Sequence, residues 1–492
     1  MKSIRLLLLA AALCAAPLAA AQFAPILHKA PAPWRGYFDA VRQADAIATP
    51  LERCLSHPDF PGTAWPIGLA ADYCKSLHGP SLTLADIDGY LVRAEHASLE
   101  RAMRAELTAH FAAEHSEAIH RTLAAFASSP QAESISARWL QVAPDSPFAL
   151  AARGQYLLNL KWERSGPAGA DPAPLLERAL DIEPRLVAAH AMLLELGMLN
   201  GNQAQVQGAW SRGQAADAGC RQLARVRMQS LRPRRSGSVE AMDAFAASLQ
   251  PLASRRVLLH NVIAMASLER ADSFLRAGQV APAIEVLRRA ARNSTYPDLW
   301  WRLARVLGEV EGTERHELIA VLVEGGRFVD DERAIAYERG RQLMLAGEGE
   351  WAVRSLKHAL ALEPGNLNTQ QTLGVAYVQA GQLAQAERHF VAALEAPDLR
   401  ALTLRALVAS MVNSAYPERV ARYAGMLTRE QPESRHGWLV LGHARYKLQD
   451  FDAARSAYQR FLGIGTRTDP AWLAAVKIAD QRLAEIKARP AP

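Results

Sequence analysis

Cysteine is scarce: four residues in a chain of 492, too few for a fold stapled together by disulfides. No Cys-x-x-Cys pair, Gly-x-Ser-x-Gly elbow or phosphate-binding loop occurs. The local signatures of thiol redox, acyl-transfer and nucleotide chemistry are therefore missing. Ser165-Gly166-Pro167 and Gly169 read as loop punctuation. Charge of one sign is also lacking. Without Lys2 and Arg5 the 56 basic residues fall to 54 against 50 acidic ones, a net charge of +4. Such a mixed surface gives little steering toward nucleic acid or anionic membrane. Alternating β-branched stretches are missing too, which argues against sheet.

The first twenty-one residues combine basic Lys2 and Arg5, an apolar Leu6–Leu13 stretch, Pro17 and the small run Ala19-Ala20-Ala21. This three-part pattern predicts a secretory signal peptide cleaved after Ala21. Leu13 ahead of Cys14 does not suit a lipid-attachment signal. No later segment is long and apolar enough to span a bilayer. The mature chain is expected to be soluble in the periplasm or secreted, with no transmembrane segment after signal removal. In that oxidising compartment Cys54 and Cys74, twenty residues apart, can close a disulfide across the intervening Pro- and Gly-containing loop. Cys220 is then left alone, on a helix.

From Leu84 onward Ala, Leu, Glu and Arg dominate, with apolar positions recurring at three and four, so the chain reads as all-α. The stretch 22–83 is irregular but mostly helical, with Pro31, Pro33, Pro58, Pro61 and Gly62. Residues 84–250 form a helical domain, 251–332 degenerate helical repeats, and 469–492 a capping helix and tail. Between them, 333–468 carry a 34-residue period. Gly340, Gly374 and Gly442 are in register, with Val408 in the missing slot; Ala352, Ala386 and Ala454 repeat in step, with Val420 between. Leu356, Phe390, Ala424 and Tyr458 share a further position, and Pro364, Pro397 and Pro432 mark the unit ends. In residues 367–400 the small Gly374 lets the partner helix approach, Gly381 makes the turn, Phe390 fills the groove to the next unit and Pro397 stops the second helix. Such hairpins cannot bury both faces alone and must stack into a solenoid.

The segment LGVAYVQAGQLAQAERHFVAALEAPD resembles the tetratricopeptide repeat at its Leu-Gly, Tyr, Gly, Ala, aromatic and Pro positions. Residues 435–468 resemble another copy, with Gln449 replacing the turn glycine; residues 264–297 match more weakly through Gly278, Ala283, Leu287 and Ala290. The resemblance implies a helical-hairpin solenoid whose first helices line a binding surface for a protein or peptide. It places Tyr337, Arg341, Gln371, Arg405, Asn413, His443 and Lys447 on or near that groove. Arginines and amides there suit an acidic or C-terminal carboxylate partner. The regular Lys/Asn carboxylate clamp is interrupted by Val375 and Leu439. A second resemblance, through RWLQVAPDSPFALAARGQYLLNLKWERSG and LRPRRSGSVEAMDAFA, is to an uncharacterised bacterial helical domain and implies no chemistry.

Catalytic, cofactor and metal residues are not expected. His110, His115 and His120 step by five, about 140° beyond a full helical turn, so on one straight helix they cannot converge on an ion; they read, with Glu114 and Glu117, as solvated. Glu95-His96 has no convergent partner. Arg221, Arg225, Arg227, Arg232, Arg234 and Arg235 read as arginines that stabilise a helix terminus and pair with carboxylates rather than an anion site. No aromatic platform accompanies them, so nucleic acid is not expected. Trp139, Tyr156 and Trp162 read as anchors between packed helices. The expected function is that of an exported, non-enzymatic protein-protein interaction scaffold for envelope assembly. Two alternatives stay open: an enzyme with an unrecognised site near residues 34–96, and a structural subunit whose groove is self-occluded.

Overall fold

The computed structural model describes residues 26–112, 116–126, 129–163, 171–328 and 333–489. The expected leader with Cys14, as well as Glu114, His115 and the loop Ser165 to Gly169, lies outside the described residues. Among the described residues there are twenty-six α-helices, two 3-10 turns and no strand. The fold is an all-α solenoid of stacked helical hairpins. By contacts it divides into two units, one of Gly36–Thr313 and Ala320–Asp330, the other of Met1–Arg35, Glu314–Ile319 and Asp331–Pro492.

The N-terminal stretch is mostly helical, as expected, despite its prolines. Helices α1 (Ala32–Ala44), α2 (Pro50–Ser56) and α3 (Leu69–His78) form there, with Pro50 at a helix start where its missing N–H costs nothing. Cys54 of α2 and Cys74 of α3 are joined by a disulfide, Cα–Cα 5.7 Å. Around it pack Leu69, Tyr73, Leu258 and Phe328. Two arginines tie this hairpin down through its backbone. Arg121 donates to the carbonyls of Ser76, Gly79 and Pro80 at 2.6, 3.0 and 2.9 Å, satisfying acceptors that the end of α3 leaves open. Arg327 does the same for Cys54 O at 3.1 Å while pairing with Glu324 and Asp59.

Next come α4 (Leu84–Val92), opened by a Thr83–Asp86 capping box, then α5 (His96–Phe111), α6 (Ala118–Ala124), α7 (Pro130–Val142) and α8 (Pro147–Glu163). Helices α9 (Ala173–Ile182), α10 (Val187–Leu199), α11 (Gln203–Ala216) and α12 (Arg221–Ser230) follow. Helix α10 has eleven buried residues out of thirteen, as befits a helix apolar on every side. The unit closes with α13 (Val239–Ala253), α14 (Leu259–Arg276), α15 (Val280–Ala291) and α16 (Pro297–Leu307), each packed on the next. Trp139 and Tyr156 are core residues, but Trp162 is 40% exposed and donates to Glu195 instead. Its amphipathic ring suits that half-wet position.

After α17 (Arg315–Arg327) the array runs α18 (Arg333–Leu345), α19 (Gly349–Leu362), α20 (Leu367–Gln379), α21 (Leu383–Ala393), α22 (Pro397–Met411), α23 (Pro417–Glu430), α24 (Arg435–Lys447) and α25 (Phe451–Gly463). Helix α26 (Leu473–Lys487) packs on α25. The shared glycines have one job. A Cβ at Gly340, Gly374 or Gly442 would stand 2.5, 2.6 or 2.7 Å from Leu356, Phe390 or Tyr458. Phe390 thus fills its own hairpin rather than the groove to the next unit. The eroded unit keeps the fit with the sizes exchanged: Val408 and Ala424, both buried, occupy the same two slots. The turn slot is conserved in backbone rather than residue type. Gly347, Gly381 and Gln449 have φ of 78°, 73° and 61°, and the glutamine accepts a left-handed conformation that costs about 1–2 kcal/mol. Pro397 opens α22 instead of stopping α21, which already ends at Ala393.

Candidate functional site

In the array the first helices α18, α20, α22 and α24 also contact one another in succession, forming a row. Tyr337 and Arg341 lie on α18, Gln371 on α20, Arg405 on α22, and His443 and Lys447 on α24. Asn413 does not join them; it sits exposed in the turn after α22. Several of the others are already engaged. Tyr337 Oη lies 3.2 Å from Thr372 Oγ1, and Arg341 donates twice to Glu338, at 2.9 and 2.6 Å. His443 Nδ1 lies 2.7 Å from Tyr458 Oη. Burial, then Arg482 and Lys447, push that imidazole down to about 4, so its ring is neutral. Lys447 is exposed, while Gln371 and Arg405 are half-buried.

The other unit holds a polar cluster that spacing along the sequence hid. His110 lies in the last turn of α5 and His120 belongs to α6, so the two stand on separate helices. The geometry of one straight helix does not apply, and the expectation that these histidines stay apart fails for this pair. Their ring centroids are 5.0 Å apart. Cys220, buried at the N-cap of α12, brings its Sγ within 3.7 Å of His120 Nε2. Asp217, at the end of α11, accepts from His110 Nε2 at 3.0 Å and is itself held by Gly219 N–H at 2.9 Å and by Arg256.

Beside the imidazoles, buried Glu117 accepts from Arg221 at 3.0 Å. Burial opposes the carboxylate's charge, but Arg221, His120 and His110 outweigh it and hold Glu117 down at about 2. Burial likewise pushes the Cys220 thiol up, and the two histidines more than reverse this, bringing it to about 7. For His110 burial works against the cation; the bonds to Asp217 and Cys220 prevail and raise it to about 10.

Arg221 is thus the one member of the arginine run drawn into the cluster. It opens α12, where the helix dipole disfavours a cation, and Glu117 offsets that. The rest disperse. Arg225 donates to Gln222, Arg227 to Ser230, Arg232 pairs with Glu269, and Arg235 stacks over Trp162. An open cleft of about 460 Å³ lies against the cluster. Lys75, His110, Glu117, Arg121, Arg221 and Arg256 line it. No feature of a single segment marks this site, because its residues come from α5, α6, α11 and α12.

No family model and no curated protein matches the chain, so neither resemblance becomes membership. Solved structures do align. A tetratricopeptide repeat protein from Parabacteroides merdae is 14% identical over 45% of this chain and 97% of its own, with a TM-score of 0.30. The APC/C hetero-tetramer Cut9–Hcn1 is 12% identical over 94% of this chain and 99% of its own, with a TM-score of 0.32. MamA from Desulfovibrio magneticus RS-1 is 15% identical over 42% of this chain and 97% of its own, with a TM-score of 0.26. What the described helices define is the fold class, an all-α solenoid of stacked helical hairpins.

Proposed function

We propose that the chain is an exported, non-enzymatic scaffold whose row of first helices holds a protein or peptide segment during assembly of envelope components. The observation that carries this is the unbroken row α18, α20, α22, α24, stacked side by side. Successive first helices of a solenoid offer one extended binding surface. Export draws support from the leader pattern and from the Cys54–Cys74 disulfide, a bond that persists in oxidising compartments. Among the described residues no helix is long and apolar enough to cross a membrane. Because Arg341 is already paired with Glu338, Arg405 and Lys447 are the cations left to meet an acidic segment.

The test is photo-crosslinking in the native cell, with the probe at Gln371 or Lys447 and, as controls, at the exposed Leu383 and Val391 of the second helix α21. The expected result is a discrete adduct with an envelope protein from the first-helix positions only, diminished at the Gln371 probe by Arg405→Glu plus Lys447→Glu. Equal labelling from both helix rows, or capture unchanged by the double substitution, overturns the groove assignment. The cleft beside Glu117 and His110 favours the enzyme as a second reading; loss of the cell phenotype in Glu117→Gln with crosslinking intact would turn the case toward it.

A further inference from the structure

We propose that His110, His120 and Cys220 bind a zinc ion. Each offers one donor atom, and these atoms all lie within 4.8 Å of one another. Donors around a tetrahedral zinc stand roughly 3.3–3.6 Å apart, given bonds of about 2.0–2.3 Å. The Cys220 Sγ to His120 Nε2 distance is already 3.7 Å, and the widest separation, at most 4.8 Å, has to shorten by about an ångström to close the triangle.

The donor chemistry selects the ion. A thiolate with two imidazoles is soft enough to prefer zinc-class d-block cations and to reject calcium or magnesium, which require oxygen. His110 also carries the outer support expected of a ligating histidine. One of its ring nitrogens is 3.0 Å from Asp217, and that carboxylate is fixed by Gly219 N–H and Arg256. The other ring nitrogen, Nδ1, faces the Ser116 carbonyl at 3.3 Å, so binding exchanges one of these two contacts for the ion, and a carboxylate in this place holds the ring while it does so. Asp217 is therefore a positioning residue. Three protein donors leave the fourth tetrahedral position to solvent or a ligand, and His110 also lines the adjoining cleft. A freely reactive thiol is the competing use of Cys220, but the residue is buried and does not line that cleft.

The experiment uses the full chain carrying Cys14→Ser, stripped with a chelator and reloaded with Co²⁺ and then Zn²⁺. With Cys54 and Cys74 bonded to each other, Cys220 is the free thiol among the described residues. A thiolate-to-cobalt charge-transfer band therefore reports on it, even without a further variant. The expected result is one equivalent of zinc retained after desalting, with tetrahedral cobalt bands and that charge-transfer band displaced by zinc. Cys220→Ser abolishes the band; Asp217→Asn weakens zinc binding by about 10–100-fold with the band retained; His110→Gln and His120→Gln weaken it more. A wild-type cobalt spectrum without the thiolate band, or zinc affinity unchanged by Cys220→Ser, overturns the proposal. So does alkylation of Cys220 that proceeds as fast with zinc as without.

Discussion

The two units close their helical hairpins with the same device and space it differently. In the array a glycine faces a bulky residue sixteen positions later, three times over: Gly340 and Leu356, Gly374 and Phe390, Gly442 and Tyr458. In the other unit Gly154 meets Leu176, Gly213 meets Leu223, and Gly197 meets the Val206 backbone, at separations of 22, 10 and 9. The contact is the same steric fit of a missing Cβ against a neighbouring group. A constant repeat length makes it periodic in one unit; unequal hairpins erase the period in the other. Charge differs as well. The array keeps Arg341 and Glu338 partly exposed, whereas Glu117 and Arg221 form a pair largely removed from water.

Removing the bulky partner tests the comparison hardest. Phe390→Ala should cost about 3–5 kcal/mol in urea unfolding. Adding bulk opposite it, Gly374→Ala, should cost about 1–3 kcal/mol. Gly374→Val with Phe390→Ala copies the natural Val408 and Ala424 arrangement and should cost clearly less than the sum of its parts. Additive losses would mean that the two slots do not share one space. In the other unit Glu117→Gln leaves Arg221 buried with no counter-charge, and a loss of about 3–5 kcal/mol is expected. A loss below 1 kcal/mol would show water reaching the pair.

Acidity should move two groups, one in each unit, in opposite directions. Burial pushes Glu324 up to about 7 from 4.5, against the pull of Arg327. The folded state then holds a proton that the unfolded chain has released. This contribution is complete below about pH 4.5 and is lost as pH rises through about 7. His443 lies at about 4 against 6.5, so its contribution is complete above about pH 6.5 and is lost as pH falls through about 4. Each is worth about 1–3 kcal/mol. Glu324→Gln should remove the falling slope and His443→Gln the rising one, read from thermal unfolding between pH 4 and 8. Slopes unchanged in either variant would break that assignment. The smallest effect concerns the turn: Gln449→Gly should stabilise by up to about 1 kcal/mol, since relief of the left-handed strain exceeds the glycine entropy cost. A destabilising result would show that the glutamine side chain holds the turn.

Legibility followed locality. The array was readable because its decisive contacts lie within one hairpin, so a fixed spacing of Gly, Ala and aromatic residues records them. Even there, spacing misplaced Asn413, which falls past the end of α22, and Pro397, which opens a helix. It also could not show that Arg341 and His443 are engaged by Glu338 and Tyr458. Trp162 looked like its neighbours Trp139 and Tyr156, yet its ring lies at the surface. The His/Cys cluster left no trace: His110 and Cys220 are 110 positions apart, and the two five-residue steps from His110 through His115 to His120 mislead unless the break between α5 and α6 is known.

Composition and periodicity alone determined the helical class and the 34-residue hairpin, because those depend on residue type and spacing within one repeat; that Phe390 fits against Gly374 inside its own hairpin came from the packed structure. Which polar groups meet was decided only when hairpins of unequal length stacked. That stacking set the ends of α5, α11 and α12 beside α6, and burial then required Glu117, Arg221, Asp217 and His110 to satisfy one another. Contacts of that kind carry no spacing rule, since their geometry belongs to the packed helices and not to the order of residues.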